Sequence, residues 1–342
     1  MIDWATVELP CLHDPIDSGY ISKTGPGGEM EWQTPCRHSV EGSYSARISV
    51  RSRGSNGAGQ ATHLLISGNP SKFLQGHNVF GSDDLLALIY DTFLAICHSL
   101  GIQPTLPELR RVKEGDYTLI NVDINRSFEL PTRQDVLAWL RAMEFKAKTR
   151  HGRPATKGGT LYFGKGTSRW KVKAYSKGEE LEAGRKHGLP EGLQQTPISA
   201  WADNKLRVEV TLLRKELQDL GIGKARDLTV SLINQLYRQY IGRIEMSEQI
   251  ALSTEDQLSL PTKLQSTYLH WKNGVDLRAI LPKTTFYRHR KALLEHGIDI
   301  AIRKETKRCR NNVVPLIRIL EAQPASIPQW AFEQRLVHPS AA

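Results

Sequence analysis

The chain has 342 residues, of which 39% are hydrophobic and 24% charged, the balance of a soluble globular protein with roughly two or three domains and a core that needs no metal or disulfide staple. Its four cysteines, Cys11, Cys36, Cys97 and Cys309, form no CxxC pair, which argues against a zinc knuckle, a redox dithiol or a disulfide framework. The net charge of +10 points to a polyanionic partner.

The start, MIDWATVELP, lacks the basic region and apolar run of a signal peptide, and no stretch approaches the roughly 18 apolar residues of a membrane span. A cytoplasmic protein with no membrane partner is expected. Ser43 to Arg51 alternates Tyr44, Ala46, Ile48 and Val50 on one face, and after a Gly-rich loop Ala61 to Ser67 returns as its hairpin partner. Ser82 is read as the cap of a buried helix that runs to about Leu100 and stops at Gly101. Thr118 to Asn125 places Ile120, Val122 and Ile124 opposite Asn121, Asp123 and Asn125. A second helix follows Thr132, with Asp135 approximating a capping box.

Thr160 to Gly164 and Arg169 to Ser176 read as a second hairpin. Within it Trp170, Val172 and Ala174 face one way, and Arg169, Lys171, Lys173, Tyr175 and Lys177 the other. In the last strand, LRVEVTL, Leu206, Val208, Val210 and Leu212 oppose Arg207, Glu209 and Thr211. Short strands with one polar face predict an α+β fold: a mainly antiparallel sheet with helices on one face through about residue 215, then a mostly helical region from 216 to 342.

Charge is concentrated. Residues 146 to 177 carry ten Lys or Arg and no acid, and residues 263 to 318 carry thirteen basic and four acidic residues. Two such runs, one in a strand pattern and one in a helix pattern, make nucleic acid the leading partner. If the strands share a sheet, one surface displays Asp123, Glu209, Tyr175 and a row of cations, Arg169, Lys171 and Lys173 among them. A tyrosine hydroxyl can attack a phosphodiester to give a phosphotyrosine and a free 3′-hydroxyl, with help from a hard divalent cation such as Mg²⁺ or Mn²⁺ held by carboxylates. Lys177, two residues on and on the same face, could stabilise the phenoxide or the phosphate. The competing reading makes Tyr175 a packing residue and Asp123 and Glu209 members of cross-strand ion pairs with Arg207 or a lysine.

Val275 to His296 reads as a short helix, a Leu-Pro turn and a longer helix, with Phe286, Ala292 and Leu293 inward and Arg288, His289 and Lys291 outward. A helix-turn-helix over 275–296 and an ordinary amphipathic hairpin both fit this pattern. Arg303, Lys304, Lys307, Arg308 and Arg310 are assigned to phosphate contacts.

The segment PSKFLQGHNVFGSDDL, Pro70 to Leu85, resembles a hallmark of the gene II replication-initiation proteins of filamentous phages. The MID start, the VDI strand at Asp123, KAYSKGEEL, the RVE at Arg207 to Glu209, LPKTTFYRHRKALLEHGI and NNVVPLIR follow that family in the same order. The resemblance implies a rolling-circle initiator. Such a protein binds the plus-strand origin on supercoiled replicative DNA, nicks one strand, leaves a 3′-hydroxyl for host polymerase acting with a host helicase, and later circularises the displaced strand. By resemblance the nucleophile falls on Tyr175, the acidic residues on Asp123 and Glu209, and the histidine on His77. The chain has no His-x-His pair, so a metal centre would have to use Asp123, Glu209 and His77. A loop histidine bonded to backbone is the alternative for His77. The expected function is metal-dependent, site-specific DNA nicking and rejoining by a protein that could act as an oligomer on DNA. A non-catalytic origin-binding or regulatory protein is the rival, and an RNA-binding protein a weaker one.

Overall fold

The computed structural model describes residues 1–16, 19–149, 154–164, 166–184, 187–246, 260–273, 275–296, 298, 300–301 and 323–341. Its centre is a nine-stranded antiparallel sheet in the order β4-β5-β6-β1-β7-β12-β11-β10-β9. The strands are β1 (Ile2–His13), β4 (His38–Glu41), β5 (Arg47–Arg53), β6 (Ala61–Gly68), β7 (Thr118–Glu129), β9 (Ala155–Lys157), β10 (Thr160–Phe163), β11 (Trp170–Ser176) and β12 (Lys205–Leu212). β2 (Tyr20–Thr24) and β3 (Met30–Pro35) form a separate ribbon, and β8 (Ala147–Lys148) pairs with β13 (Glu245–Met246).

The α+β expectation holds. Three long helices, at Leu85–Leu100, Arg133–Lys146 and Val230–Ile241, share one core with the apolar side of the sheet: Leu88 and Phe93, Val136 and Met143, and Ile233 and Leu236 are buried in one cluster with Val122, Ile124, Val172, Val208 and Val210. Each helix starts where a short side chain accepts an otherwise orphaned backbone N–H. Thr132 caps the second, as expected, and Thr229 the third. The first is capped by Asp84, which accepts from Ala87 N at 3.0 Å; Ser82 instead accepts from Asp84 N at 3.1 Å in the turn before it. Gly101 closes that helix in the left-handed conformation, φ 67°.

The strand patterns hold with two local departures. Tyr44 leaves the apolar face, because Ser43–Ser45 is a 3₁₀ turn in which Tyr44 takes φ 52° and is exposed. In β7 the pairing with β1 slips at Ile120, so Leu119 rather than Ile120 is buried.

The expected boundary at 215–216 does not divide the packing. Leu217, Ile222, Ile233, Tyr240 and, from the far end of the chain, Ala331 and Val337 belong to the first core. The apolar side of helix 230–241 packs against β7 and β12, so this stretch belongs to the core of the sheet. A second core unites Leu260, Tyr268, Trp271, Leu277, Phe286, Leu293, Ile298 and Ile300, around helices Thr262–Lys272, Leu277–Ile280 and Lys283–Glu295. No helix among the described residues is long and apolar enough to cross a membrane.

Candidate active site on the polar face of the sheet

Alternation in three adjacent strands gathers the polar residues. With Val122 and Ile124, Val208 and Val210, and Val172 and Ala174 committed to the core, Asp123 and Asn125, Arg207 and Glu209, and Lys173 and Tyr175 must take the other side. Register then fixes neighbours: Glu209 lies between Asn125 and Lys173, and Arg207 between Ser127 and Tyr175. Directly opposed residues sit within about 5.5 Å at Cβ, inside side-chain reach.

The side chains converge on Glu209. The Tyr175 hydroxyl donates to Glu209 Oε1, and Lys173 Nζ lies 3.0 Å from Glu209 Oε2 and 3.5 Å from Asp123 Oδ2. Tyr175, Glu209 and Asp123 are 7%, 2% and 8% exposed, so these contacts form with little water to screen them. Burial, then the Glu209 charge, hold the Tyr175 phenol well above its ordinary pKa, and burial raises that of Asp123. Burial works against the charged form of Lys173, but Glu209 and Asp123 outweigh it and hold the ammonium above the ordinary lysine range. Beside Tyr175 opens a cavity of about 400 Å³, walled by Thr160, Glu179, Glu180 and the β9–β10 turn. That turn is Gly158-Gly159 with φ of 56° and 77°, the positive pair that a two-residue hairpin needs.

Arg207, directly across from Tyr175, is fully buried. Its guanidinium donates to Ser127 Oγ at 3.1 Å, to Val79 O at 2.6 Å and to Asn78 O, tying β12 to the loop that carries GHNVFG. Lys177 follows the end of β11 and opens the short helix Lys177–Glu182, and its buried ammonium lies between Asn78 Oδ1, at 2.8 Å, and Glu180. The lysine that meets the carboxylates is Lys173, expected to bind DNA. The ion-pair alternative for Glu209 is therefore realised, with Lys173 as the partner.

His77 does not join the carboxylates. Its Nε2 donates to Leu336 O at 2.8 Å and its Nδ1 accepts from Val79 N at 3.3 Å, so both nitrogens are committed to backbone, and burial pushes its pKa down to about 4. Among the described residues no three His, Cys, Asp or Glu side chains cluster as a metal group would. The ligand expectation for His77 is thus corrected in favour of the backbone-bonded alternative.

Asp3 is a site residue that strand patterns did not single out, although it is the acid of the MID start. It is buried, accepts from Asn69 at 3.0 Å and Asn78 at 3.1 Å through Oδ1, and has its pKa raised to about 6 by burial and then by the Glu209 charge. A carboxyl whose folded pKa lies above its unfolded value of about 4 favours folding most below that value, a contribution lost as pH rises through 6. His77, depressed to about 4, acts with the opposite sign in the same window, so the Asp3 effect is read as a difference between variants. Asp3→Asn should melt at a higher temperature than wild type at about pH 8 and at the same temperature near pH 4. A lower melting temperature at the higher pH would show that the fold requires the charge.

The remaining expected DNA contacts divide. Arg169 pairs with Asp219 and, at 3.4 Å, with Glu216, which commits it to the helix Arg214–Asp219. Lys171 is half-buried opposite Thr211. In the second core Arg288 and Lys291 are exposed as expected, but His289 faces inward, its Nδ1 2.8 Å from Thr267 Oγ1. Arg308 and Arg310 lie outside the described residues.

Residues 1–232 match the family model for the N-terminal part of the phage replication-associated protein encoded by gene II, and residues 252–337 match the model for its C-terminal part. A curated relative, the replication-associated protein of the same family from Enterobacteria phage I2-2, is 49% identical over 329 residues, covering 96% of this chain and 95% of its own. Among solved structures, a rolling circle replication initiator protein from Geobacillus stearothermophilus aligns with 75% of this chain and 89% of its own at 12% identity, with a TM-score of 0.34. The polar sheet face thus sits within residues that align almost end to end with a phage replication protein, and the chain belongs to the gene II family of replication-associated proteins.

Proposed function

We propose that the chain is a rolling-circle replication initiator that nicks and rejoins one DNA strand through Tyr175. The observation that carries this reading is the Tyr175 hydroxyl donating to a buried carboxylate, the arrangement of a nucleophile and its base. Tyr175 Oη attacks the scissile phosphorus and passes its proton to Glu209. The new O–P bond replaces the P–O3′ bond, and the departing 3′-oxygen takes up a proton to become the hydroxyl from which polymerase extends. The protein is left on the 5′ side as a phosphotyrosine. Attack by a 3′-hydroxyl on that phosphotyrosine reverses the step and closes the strand.

Asp123 and Glu209 offer the hard oxygen donors that Mg²⁺ or Mn²⁺ prefers. The Asn125 amide, fully buried and directly across from Glu209, has neither its oxygen nor its nitrogen partnered among the described residues. An orphaned buried amide beside two carboxylates suits a bound ion with its waters, and these three residues would hold it. The ion, when bound, supplies charge to polarise the phosphate oxygens. Lys177 acts as a positioning residue, fixing Asn78 and through it the loop that grips Arg207. Arg288 and Lys291, with the helices Leu277–Ile280 and Lys283–Glu295 as a helix-turn-helix, hold the surrounding duplex.

Incubation with supercoiled origin DNA and Mg²⁺ should give relaxed circles with protein covalently attached to a 5′ end. DNA bound but left closed, with no adduct, would instead establish the non-catalytic origin-binding reading.

A further inference from the structure

The ammonium of Lys173 lies between the two carboxylates that would hold the ion. It contacts one oxygen of each, Glu209 Oε2 at 3.0 Å and Asp123 Oδ2 at 3.5 Å, and it reaches them from β11, the strand that carries Tyr175. Tyr175 and Lys173 therefore end on the two different oxygens of the same carboxylate. The two sides of this ion pair are not equally fixed. Glu209 is held in the middle of the sheet with its side chain 3% exposed, whereas the Lys173 side chain is 23% exposed and hangs from a flexible four-carbon stem.

A hard divalent ion binds carboxylate oxygens at about 2.0 to 2.6 Å. An ion between these oxygens and an ammonium hydrogen-bonded to one of them would be two cations at close range in a dry site, where repulsion is strong. Removal of the ammonium with nothing in its place would leave Glu209 and Asp123, with Asp3 close by, as like charges in the same confined space. One cation at a time satisfies the pair. We propose that Lys173 and the divalent ion occupy the Asp123–Glu209 pair in alternation, the ammonium serving as a tethered placeholder that must turn away before the ion can enter. This rests on the reading above that Asp123 and Glu209 hold a metal.

The test measures metal binding without DNA or turnover. Mn²⁺ is titrated into the full chain, and free Mn²⁺ is followed by electron paramagnetic resonance for wild type, Lys173→Gln and Lys173→Arg. A charge-assisted hydrogen bond is worth enough that its removal should tighten Mn²⁺ binding by about tenfold or more in Lys173→Gln, while Lys173→Arg, which keeps a cation, should bind no tighter than wild type. Equal affinity in wild type and Lys173→Gln overturns the placeholder and leaves the metal reading standing. No binding in any of the three overturns both. Wild type alone supplies a second measurement that does not depend on how a variant folds. Reductive methylation read by peptide mass spectrometry should modify Lys173 faster with saturating Mn²⁺ than without, and an unchanged rate against other lysines overturns the inference.

Discussion

If Tyr175 is the nucleophile, Tyr175→Phe is expected to abolish the covalent protein–DNA adduct while DNA affinity stays within about twofold of wild type. The substitution removes one oxygen and leaves the ring, which is 7% exposed, in its packing. That oxygen's hydrogen bond goes to Glu209, so its loss is felt inside the site and not on a DNA-facing cation. The local cost is limited. A hydrogen bond to a charged group is worth about 1.5 to 3 kcal/mol, and Glu209 keeps its contact with Lys173 at 3.0 Å. On the proposed mechanism the chemical cost would be complete, because phenylalanine has no atom that can take the phosphoryl group. Labelled origin DNA run on a denaturing gel reads the adduct, and fluorescence anisotropy on the same DNA reads affinity. An adduct that persists in the variant places the nucleophile at another residue.

What made Tyr175 visible in the sequence also explains what stayed hidden. Period-two alternation assigns residues to faces without reference to other strands, so Asp123, Asn125, Arg207, Glu209, Lys173 and Tyr175 were legible as one polar surface once three strands were placed in one sheet. Register is a property of pairs of strands, and alternation carries none of it. Alternation therefore cannot choose between Lys173 and Lys177, each two residues from Tyr175 on its face, and the expected catalytic role falls on Lys177. Only the pairing of Lys173 with Glu209, and the end of β11 at Ser176, separates the lysine that bridges the carboxylates from the one that opens the next helix.

Asp3 was obscured by a different cause. β1 runs Ile2–His13 through the middle of the sheet, but it contains Pro10, and a proline argues against a central strand. The conflict resolves in space: β1 pairs with β7 only as far as Glu8, and Pro10 lies on the stretch where β6 is its neighbour. The inward turn of His289 was available in principle. Phe286, His289 and Leu293 fall at i, i+3 and i+7, the stripe of a buried helix face, and all three are buried. The basic neighbours of His289 favour an outward ring, whereas helical spacing and the Thr267 hydroxyl hold it inward.

Glu209→Gln is expected to slow adduct formation by about 10² to 10⁴, the range for removal of a general base, while DNA binding is retained or strengthened. The two side chains have the same shape, so the fold has little to accommodate. Their hydrogen-bonding capacities differ in the direction that matters. Glu209 accepts from the Tyr175 hydroxyl on one oxygen and from the Lys173 ammonium on the other, and a glutamine amide replaces one acceptor with a donor. Whichever way the amide turns, one of its two partners meets an N–H group. If that partner is Tyr175, the phenol loses its route for the proton; if it is Lys173, the ammonium is freed toward solvent and toward any phosphate that arrives. Removing a negative charge from the face also lessens its repulsion of DNA, and that is why affinity should not fall. Single-turnover kinetics of adduct formation and an equilibrium titration on the same origin DNA separate the two quantities. A parallel loss of both would reduce Glu209 to its ion pair with Lys173, a strut across β11 and β12, and the proton from Tyr175 would need another acceptor.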